Sequence, residues 1–539
     1  MATLSTPTTA AAQQAGPRLN DRQALAIFIA DPKVKSWLER YPPNPTTEST
    51  FEQDTRRWRI KIWSGEAGQI ADGFVDDGTG AVLEAWTGPQ VAWTMARGSP
   101  GAFGGKTINR PVVWFAFVGV FLLGLIDWRR PLTLRTLDLI ALVSFSASLW
   151  FFNEGDVFTS MPLAYPPLVY LIARLAWIGA QGRPPRGRAV WPIWLLAGAA
   201  VFLAGFRIAL NHSDSNVIDV GYSGVVGAQR IATGQMPYGH MPVARGTPCG
   251  PADALGNVYD YVQTNARCER ADERGDTYGP VAYLAYLPGY WLFGWGGKWD
   301  TLPAAHFTAV LFDLLTLAGL VLVGLRFGGL PFAATLAFAW TAYPFTLYAM
   351  NSNTNDSIMP AFLVWGFWLV SRPGARGALA ALSGWTKFAS LIAAPLWATY
   401  PDRRPKARFL VGFLAASLLV FGFLLLEPNP LEAARTFGDR SIVWQIGRES
   451  PFSIWDWRQY HAAGIPDLHL GQRSLQILLV LGAIAAAFFP RRKSPLQLAA
   501  LTGALLAGFQ LVQTHWFYLY LPWFFPFVAI VFLGGDRAR

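Results

Sequence analysis

Ile218-Asp219-Val220-Gly221-Tyr222 opens a polar stretch that passes through Gly234-Gln235-Met236-Pro237-Tyr238 and closes at Asp276-Thr277-Tyr278-Gly279-Pro280. Long apolar runs flank it on both sides. An acid placed where an apolar run ends, beside aromatic and proline-fixed backbone, belongs to a membrane surface and points to more than anchoring. Outward from this stretch, apolar runs recur at 110–127, 136–152, 162–180, 191–211, 279–297, 302–325, 330–349, 357–371, 378–400, 409–426, 474–490, 496–513 and 517–534. Each is long enough, or nearly so, to cross a ~30 Å hydrocarbon core. The expected fold is therefore a mostly α, polytopic membrane protein with about 12–13 transmembrane helices. Composition agrees: 14% of the 539 residues are charged and 52% hydrophobic, against roughly 25% charged in soluble proteins.

The net charge of +10 reflects topology and not nucleic-acid binding. Its cations sit in short connectors: Arg129, Arg130 and Arg135; Arg183, Arg186 and Arg188; Arg403, Arg404, Lys406 and Arg408; Arg491, Arg492 and Lys493. Basic connectors mark the cytoplasmic side, which puts loops 212–278 and 427–472 outside. Parity is awkward between Arg372/Arg376 and Arg403, which also look cytoplasmic yet are too close for a full outward and return crossing. Two half-helices broken near Lys387, or one re-entrant hairpin, would reconcile them; irregular backbone at that depth needs burial or a cavity. Both cysteines, Cys249 and Cys268, fall in the 212–278 loop. An oxidising exterior permits a disulfide there, worth about 3 kcal/mol by loop closure; two independent thiols are the other reading.

Residues 1–17 are Thr/Ala/Gln-rich, expected to be disordered, and lack the pattern of a secretory signal. Residues 18–105 then read as a small α+β domain. Asp21 is placed to cap a helix carrying Ala24, Ile27, Val34 and Trp37. Arg57–Trp63 alternates as a strand, and Phe74–Glu84 reads as two strands around a Gly-rich turn. The Val75-Asp76-Asp77-Gly78-Thr79-Gly80-Ala81-Val82-Leu83-Glu84-Ala85-Trp86-Thr87-Gly88 run resembles the PepSY family. That resemblance implies a regulatory interaction unit with a possible protein partner and no catalysis. Residues 109–180 are read as accessory transmembrane helices.

If 217–233 is helical, Asp219, Ser223, Gly227 and Arg230 share one face and Ile218, Tyr222, Val225 and Ala232 an apolar one. The helix is then expected to lie in the interface, apolar side down. Asp219 reads either as a helix-capping acid or as a reactive carboxylate. The apolar span, the Asp, the amphipathic helix, the Gly-x-x-Pro-Tyr close and the Tyr-x-Pro-type entry to the next span together resemble the GT-C superfamily of integral-membrane glycosyltransferases. The mannosyltransferase-like branch is the nearest, and residues 191–534 carry the resemblance. It implies a polyprenyl-phosphate sugar donor, mannose first, a glycan or lipid acceptor outside the membrane, inversion at C1, and Asp219 as general base. Two departures stand: Tyr278-Gly279-Pro280 replaces Tyr-x-Pro-Pro, and one acid stands where many relatives have a pair. Asp214 or Asp276 can supply the second.

Deprotonating a hydroxyl and stabilising a departing phosphate require an acid-base group and cations. Candidate substrate-binding residues are Asp214, Arg230, Tyr238, Asp276, Tyr278, Asn355, Asp356, Lys387 and His515, with Arg440 and Arg448 as further loop cations. Each has a structural alternative: Lys387 snorkelling, His515 in an aromatic belt, 351–356 as an ordinary polar turn, Asp313 paired within the bundle. No cofactor is required by this chemistry and a divalent metal is optional. A lipid or sugar transporter or flippase, or a non-catalytic envelope scaffold, is the rival reading; a transporter would need ionisable residues lining a two-sided path.

Overall fold

The computed structural model describes residues 16–536 except 186, 188–189, 243–260, 265–266, 271–272, 298 and 300–301. Cys249 and the side chain of Cys268 lie outside the described residues, so the expected disulfide does too. The chain divides into two compact units, one of residues 1–97 with 457–466 and one of residues 98–456 with 467–539.

In the first unit, α1 (Asp21–Ala30) and α2 (Pro32–Leu38) precede an antiparallel meander of β1 (Thr46–Glu52), β2 (Arg57–Trp63), β3 (Gln69–Asp76) and β4 (Val82–Thr87). Asn20, not Asp21, caps α1: its side chain takes the Gln23 N–H while Gln23 reaches back, a reciprocal capping box. A second cap, Asp31 followed by Pro32, starts α2 and splits the expected single helix in two. Strand β2 buries Trp58, Ile60 and Ile62 on one face, as alternation predicts, against α1, whose Ala24 and Phe28 are buried. β1 is a polar edge strand that its composition disguised. Segment 457–466 joins this unit through Tyr41 Oη donating to the Tyr460 carbonyl (2.8 Å) and Ala463 N–H donating to the Arg40 carbonyl (2.9 Å).

Asp77 ties the unit's start to its turn. Its carboxylate accepts the N–H groups of Arg18 (2.8 Å) and Leu19 (3.0 Å), the Trp58 indole (3.2 Å) and Arg56 (2.6 Å). Burial pushes this carboxyl up, but the donors outweigh it and hold it at about 2. A depressed folded pKa stabilises above the unfolded value near ~3.9, and the contribution disappears as pH falls through the folded value. Acid titration from pH 5 to 2, followed by Trp fluorescence of the full chain, is therefore expected to destabilise this unit in the wild type. Asp77→Asn should be less stable at pH 5 and show a flatter acid limb; parallel acid limbs would refute the assignment.

The second unit is a multi-pass helical assembly. Among the described residues, six helices are long and apolar enough to cross a membrane: Leu134–Asn153, Val157–Gln181, Ile193–Ser213, Pro303–Ala342, Ala407–Leu425 and His469–Phe488. Four shorter apolar helices accompany them: Pro111–Leu125, Phe388–Thr399, Pro495–Leu511 and Tyr518–Phe532. Pro303–Ala342 is a hairpin. Gly329 turns the chain at φ 71°, a conformation that favours glycine, and Pro331 starts the return arm. Asp313 on the first arm then pairs with Arg207 and takes the Trp340 indole of the second at 3.0 Å, so this mid-span acid is paired within the bundle.

The run 279–297 forms no span. It breaks into Val281–Leu284 and Leu287–Phe293, since Pro288 and the Gly294 turn (φ 68°) interrupt any longer helix. Residues 373–399 resolve the parity conflict. Helix Pro373–Gly384 runs inward, breaks at 385–387, and returns through Phe388–Ala393 and Ala394–Thr399. Its two ends meet where Arg376 donates to the Tyr400 carbonyl (3.0 Å). Lys387 sits at the apex of this re-entrant pair. Two basic connectors lie side by side at the opposite end, where Asp402 bridges to Arg492 and Lys493 N–H donates to the Pro401 carbonyl (2.8 Å).

Candidate active site

Lys387 Nζ makes an ion pair with Asp356 Oδ1 at 2.6 Å; the two side chains are 6% and 2% exposed. Thr354, at the end of the polar turn, accepts the Asp356 N–H (3.0 Å) and donates to Oδ2 (2.7 Å), fixing that carboxylate. The Trp523 indole supplies a further donor at 3.0 Å. Three rings surround the ammonium: Tyr278 at 4.9 Å, Tyr520 at 5.1 Å and Trp523 at 5.1 Å from their centroids. Cation–π attraction and a paired carboxylate together let a lysine persist at this depth. Asn355 is buried beside them, and its Oδ1 has no hydrogen-bond partner among the described residues. The 351–356 turn is therefore part of the site floor.

Tyr278 is held from both sides. Tyr238 donates to its carbonyl (3.0 Å), and Val281 N–H donates to the Trp385 carbonyl (3.0 Å), drawing the end of the 212–278 loop onto the re-entrant apex. Asp276 is fully buried, accepting Arg440 Nε and Gly239 N–H, each at 2.7 Å. That pair fastens the 427–472 loop to the 212–278 loop. Tyr238 and Asp276 thus support Tyr278 from outside the cavity. Arg230 bonds the His240 carbonyl (3.0 Å), and Asp214 accepts the N–H groups of Lys106 and Thr107. Neither is brought to the site.

Asp219 is the first residue of helix Asp219–Ala232, is half-buried, and accepts its neighbour Val220 N–H at 2.9 Å. It does not line the cavity described below. It adjoins the floor instead, with Ile218 N–H donating to the Ser352 carbonyl (3.4 Å). The expected one-sided interfacial helix is corrected by the structure: residues 221–228 are buried all round. Gly224 and Gly227 leave room for the rings of Tyr286 and Tyr283, so the supposedly solvent-facing side is packed. Tyr222 stacks on Trp299 at 4.3 Å. Preceding it, Asn216 N–H donates to the Asn351 carbonyl (3.1 Å), and Asn211 Nδ2 donates to Asn353 Oδ1 (2.9 Å). These bonds set Asp219 beside the turn that carries Asp356.

A cavity of about 680 Å³ opens over this floor, lined by Tyr278, Trp385, Lys387, Arg448, His515 and Tyr520 among others. Arg448 is the second inner cation. Its Nε is buried without a hydrogen-bond partner among the described residues, and its charge reaches Lys387 and His515. His515 Nδ1 meets Ser450 Oγ at 2.9 Å, and Trp516 N–H donates to the Phe452 carbonyl at 3.1 Å. The loops carrying Arg448 and His515 are therefore locked together. Burial first, then the neighbouring Arg448 and Lys387, hold the imidazole well below the usual histidine range, so it is neutral at pH 7. Helix His469–Phe488 forms a further wall with His469, Gln472, Arg473, Gln476, Leu479 and Val480. Sequence reasoning passed over this wall, although polar residues within an apolar span are a signal of function. Among the described residues, no group of three or more His, Cys, Asp or Glu side chains could hold a metal ion.

No family model and no curated protein matches the chain. A solved structure that is similar is the crystal structure of ArnT from Cupriavidus metallidurans bound to undecaprenyl phosphate, at 16% identity and a TM-score of 0.41. The likeness covers 64% of this chain and 60% of that one, so less than two thirds of that chain's length is spanned.

Proposed function

We propose that this chain is a membrane glycosyltransferase of the GT-C type that moves a sugar, mannose first, from a polyprenyl-phosphate donor to a glycan or lipid acceptor at the outer membrane face. One observation carries the reading: a single cavity joins two inner cations, Lys387 and Arg448, to apolar and aromatic walls, and an acid, Asp219, stands beside the 351–356 turn of its floor, where Ile218 N–H donates to the Ser352 carbonyl at 3.4 Å. A lipid-borne sugar phosphate needs those three elements together. Arg448, which lines the cavity, is the group that takes the leaving phosphate oxygen; a guanidinium suits that anion geometrically. Lys387 adds fixed positive charge beneath it.

In this reading the acceptor approaches from the side of the 351–356 turn, where Asp219, outside the cavity lining, takes the proton of the acceptor hydroxyl as its oxygen attacks C1. The C1–O bond to phosphate breaks on the opposite face, with inversion, and the bond's electrons leave on the phosphate. Charge neutralisation by the two cations leaves a divalent metal optional. Tyr278 and Tyr520 flank the space above Lys387 and offer ring faces to the sugar.

The test is transfer of radiolabelled mannose from polyprenyl-phosphate mannose by purified protein in nanodiscs. Transfer by the wild type, lost in Asp219→Asn, supports the proposal; no transfer from any polyprenyl-phosphate sugar sinks it. Arg448→Gln is expected to cut kcat by roughly 10²-fold, the scale of losing one charged transition-state contact, while leaving the thermal midpoint nearly unchanged. Unaltered kcat would remove Arg448 from the phosphate site.

A further inference from the structure

The His469–Phe488 helix is a wall one helix thick. On one side Leu470 (80%), Ile477 (62%), Leu478 (60%) and Leu481 (55%) are exposed, the pattern of a lipid-facing surface. On the other, His469, Gln472, Arg473, Gln476, Leu479 and Val480 line the cavity. Their i, i+3, i+4, i+7 spacing makes them one continuous stripe. The stripe grades along its length: charged or ionisable at 469 and 473, amide at 472 and 476, apolar at 479 and 480. From end to end it covers about 16 Å at 1.5 Å per residue.

The amides are fixed. Gln472 Nε2 donates to the Val512 carbonyl (2.9 Å) and Thr514 Oγ1 (3.0 Å), and Gln476 Nε2 donates to Val512 (3.3 Å). They stitch one edge of the wall shut. Ile442 and Ile446, 44% and 83% exposed, line the same cavity. Arg473 itself is exposed, 3.4 Å from His469, and stands apart from the buried Lys387–Asp356 pair. The cavity thus has a third, outer cation that the reaction proposed above does not use.

We infer that His469 and Arg473 form a loading site for the phosphate of a polyprenyl-phosphate lipid, separate from the inner Lys387 and Arg448. The headgroup is captured at the rim by the Arg473 guanidinium. Its chain slips through the seam between Ile446 and the helix and comes to lie along Leu479 and Val480. The phosphate then moves inward to the inner cations. The gradient of the stripe matches that lipid, an anion followed by hydrocarbon. Fixed amides between the two ends satisfy polar groups without adding charge. This inference rests on the reading of the cavity as a polyprenyl-phosphate site.

The test compares wild type, Arg473→Ala and His469→Ala/Arg473→Ala in nanodiscs, using a long-chain polyprenyl-phosphate sugar in the bilayer and a two-isoprene donor supplied from water. Loss of the rim is expected to raise KM for the long-chain donor about tenfold, with kcat and the short-chain KM within twofold. Equal losses with both donors, a fall in kcat alone, or no change in either donor would overturn the loading site. A second measurement needs no transfer. A photoreactive benzoyl-phenylalanine at Val480 should cross-link polyprenyl phosphate more than one at Leu478, and Arg473→Ala should abolish that preference. Excess phosphatidylglycerol should not compete. Equal labelling at both positions, labelling indifferent to Arg473, or full competition by phosphatidylglycerol counts against the site. Capture at Val480 by a protein that transfers no sugar would refute the glycosyltransferase reading and leave the loading site standing.

Discussion

Lys387→Met is expected to destabilise the protein by about 3–5 kcal/mol, the cost of removing one partner from a buried ion pair. Methionine fills much of the volume, so the loss is electrostatic. It strands Asp356, 2% exposed, with the Trp523 indole and Thr354 as its remaining side-chain donors among the described residues. Asp356→Asn on the same background removes the stranded charge and should recover most of the thermal midpoint, measured in detergent with monodispersity checked by size exclusion. Transfer is expected to stay lost in the double variant, because the positive charge under the leaving phosphate is still missing. A single variant within 1 kcal/mol of wild type would show that the pair does not hold the floor. Restored transfer in the double variant would show that Lys387 has only a structural part.

Asp219→Asn should lower kcat by about 10²–10⁴-fold, the range for removing a general base, with donor KM within a few-fold. Asparagine keeps the shape and can still act at a helix N-terminus, so only the first-turn charge contribution of about 0.3–1 kcal/mol is at risk. A folded variant with normal transfer would move the base elsewhere. Of the sequence candidates, Asp276 is clasped by Arg440 and Asp214 by the backbone of Lys106 and Thr107. Asp356, the acid nearest Lys387, would then be the next residue to test.

Much of this architecture was legible residue by residue. Apolar runs declare themselves because a membrane span needs only local composition, and the conflict around Arg372–Arg403 correctly marked Lys387 as a break. Competition between adjacent capping residues hid the Asn20 cap behind Asp21. The 279–297 run looked continuous because hydropathy averages over Pro288 and Gly294, whose backbone geometry ends helices. The helix after Asp219 read as amphipathic, but small residues at 224 and 227 are also what a packed helix needs when tyrosines seat against it.

Sequence by itself determined the membrane class, the small α+β unit, the basic connectors and the set of polar residues that a low-dielectric interior had to satisfy. Tertiary structure alone decided who satisfies whom. Lys387 and Asp356 are 31 residues apart, and Asp276 and Arg440 are 164 apart. Desolvation demands that a buried charge find a partner, but it does not name one. The choice was made when the broken helix pair brought Lys387 up to the 351–356 turn and the loops carrying Tyr278, Arg448 and His515 closed over it.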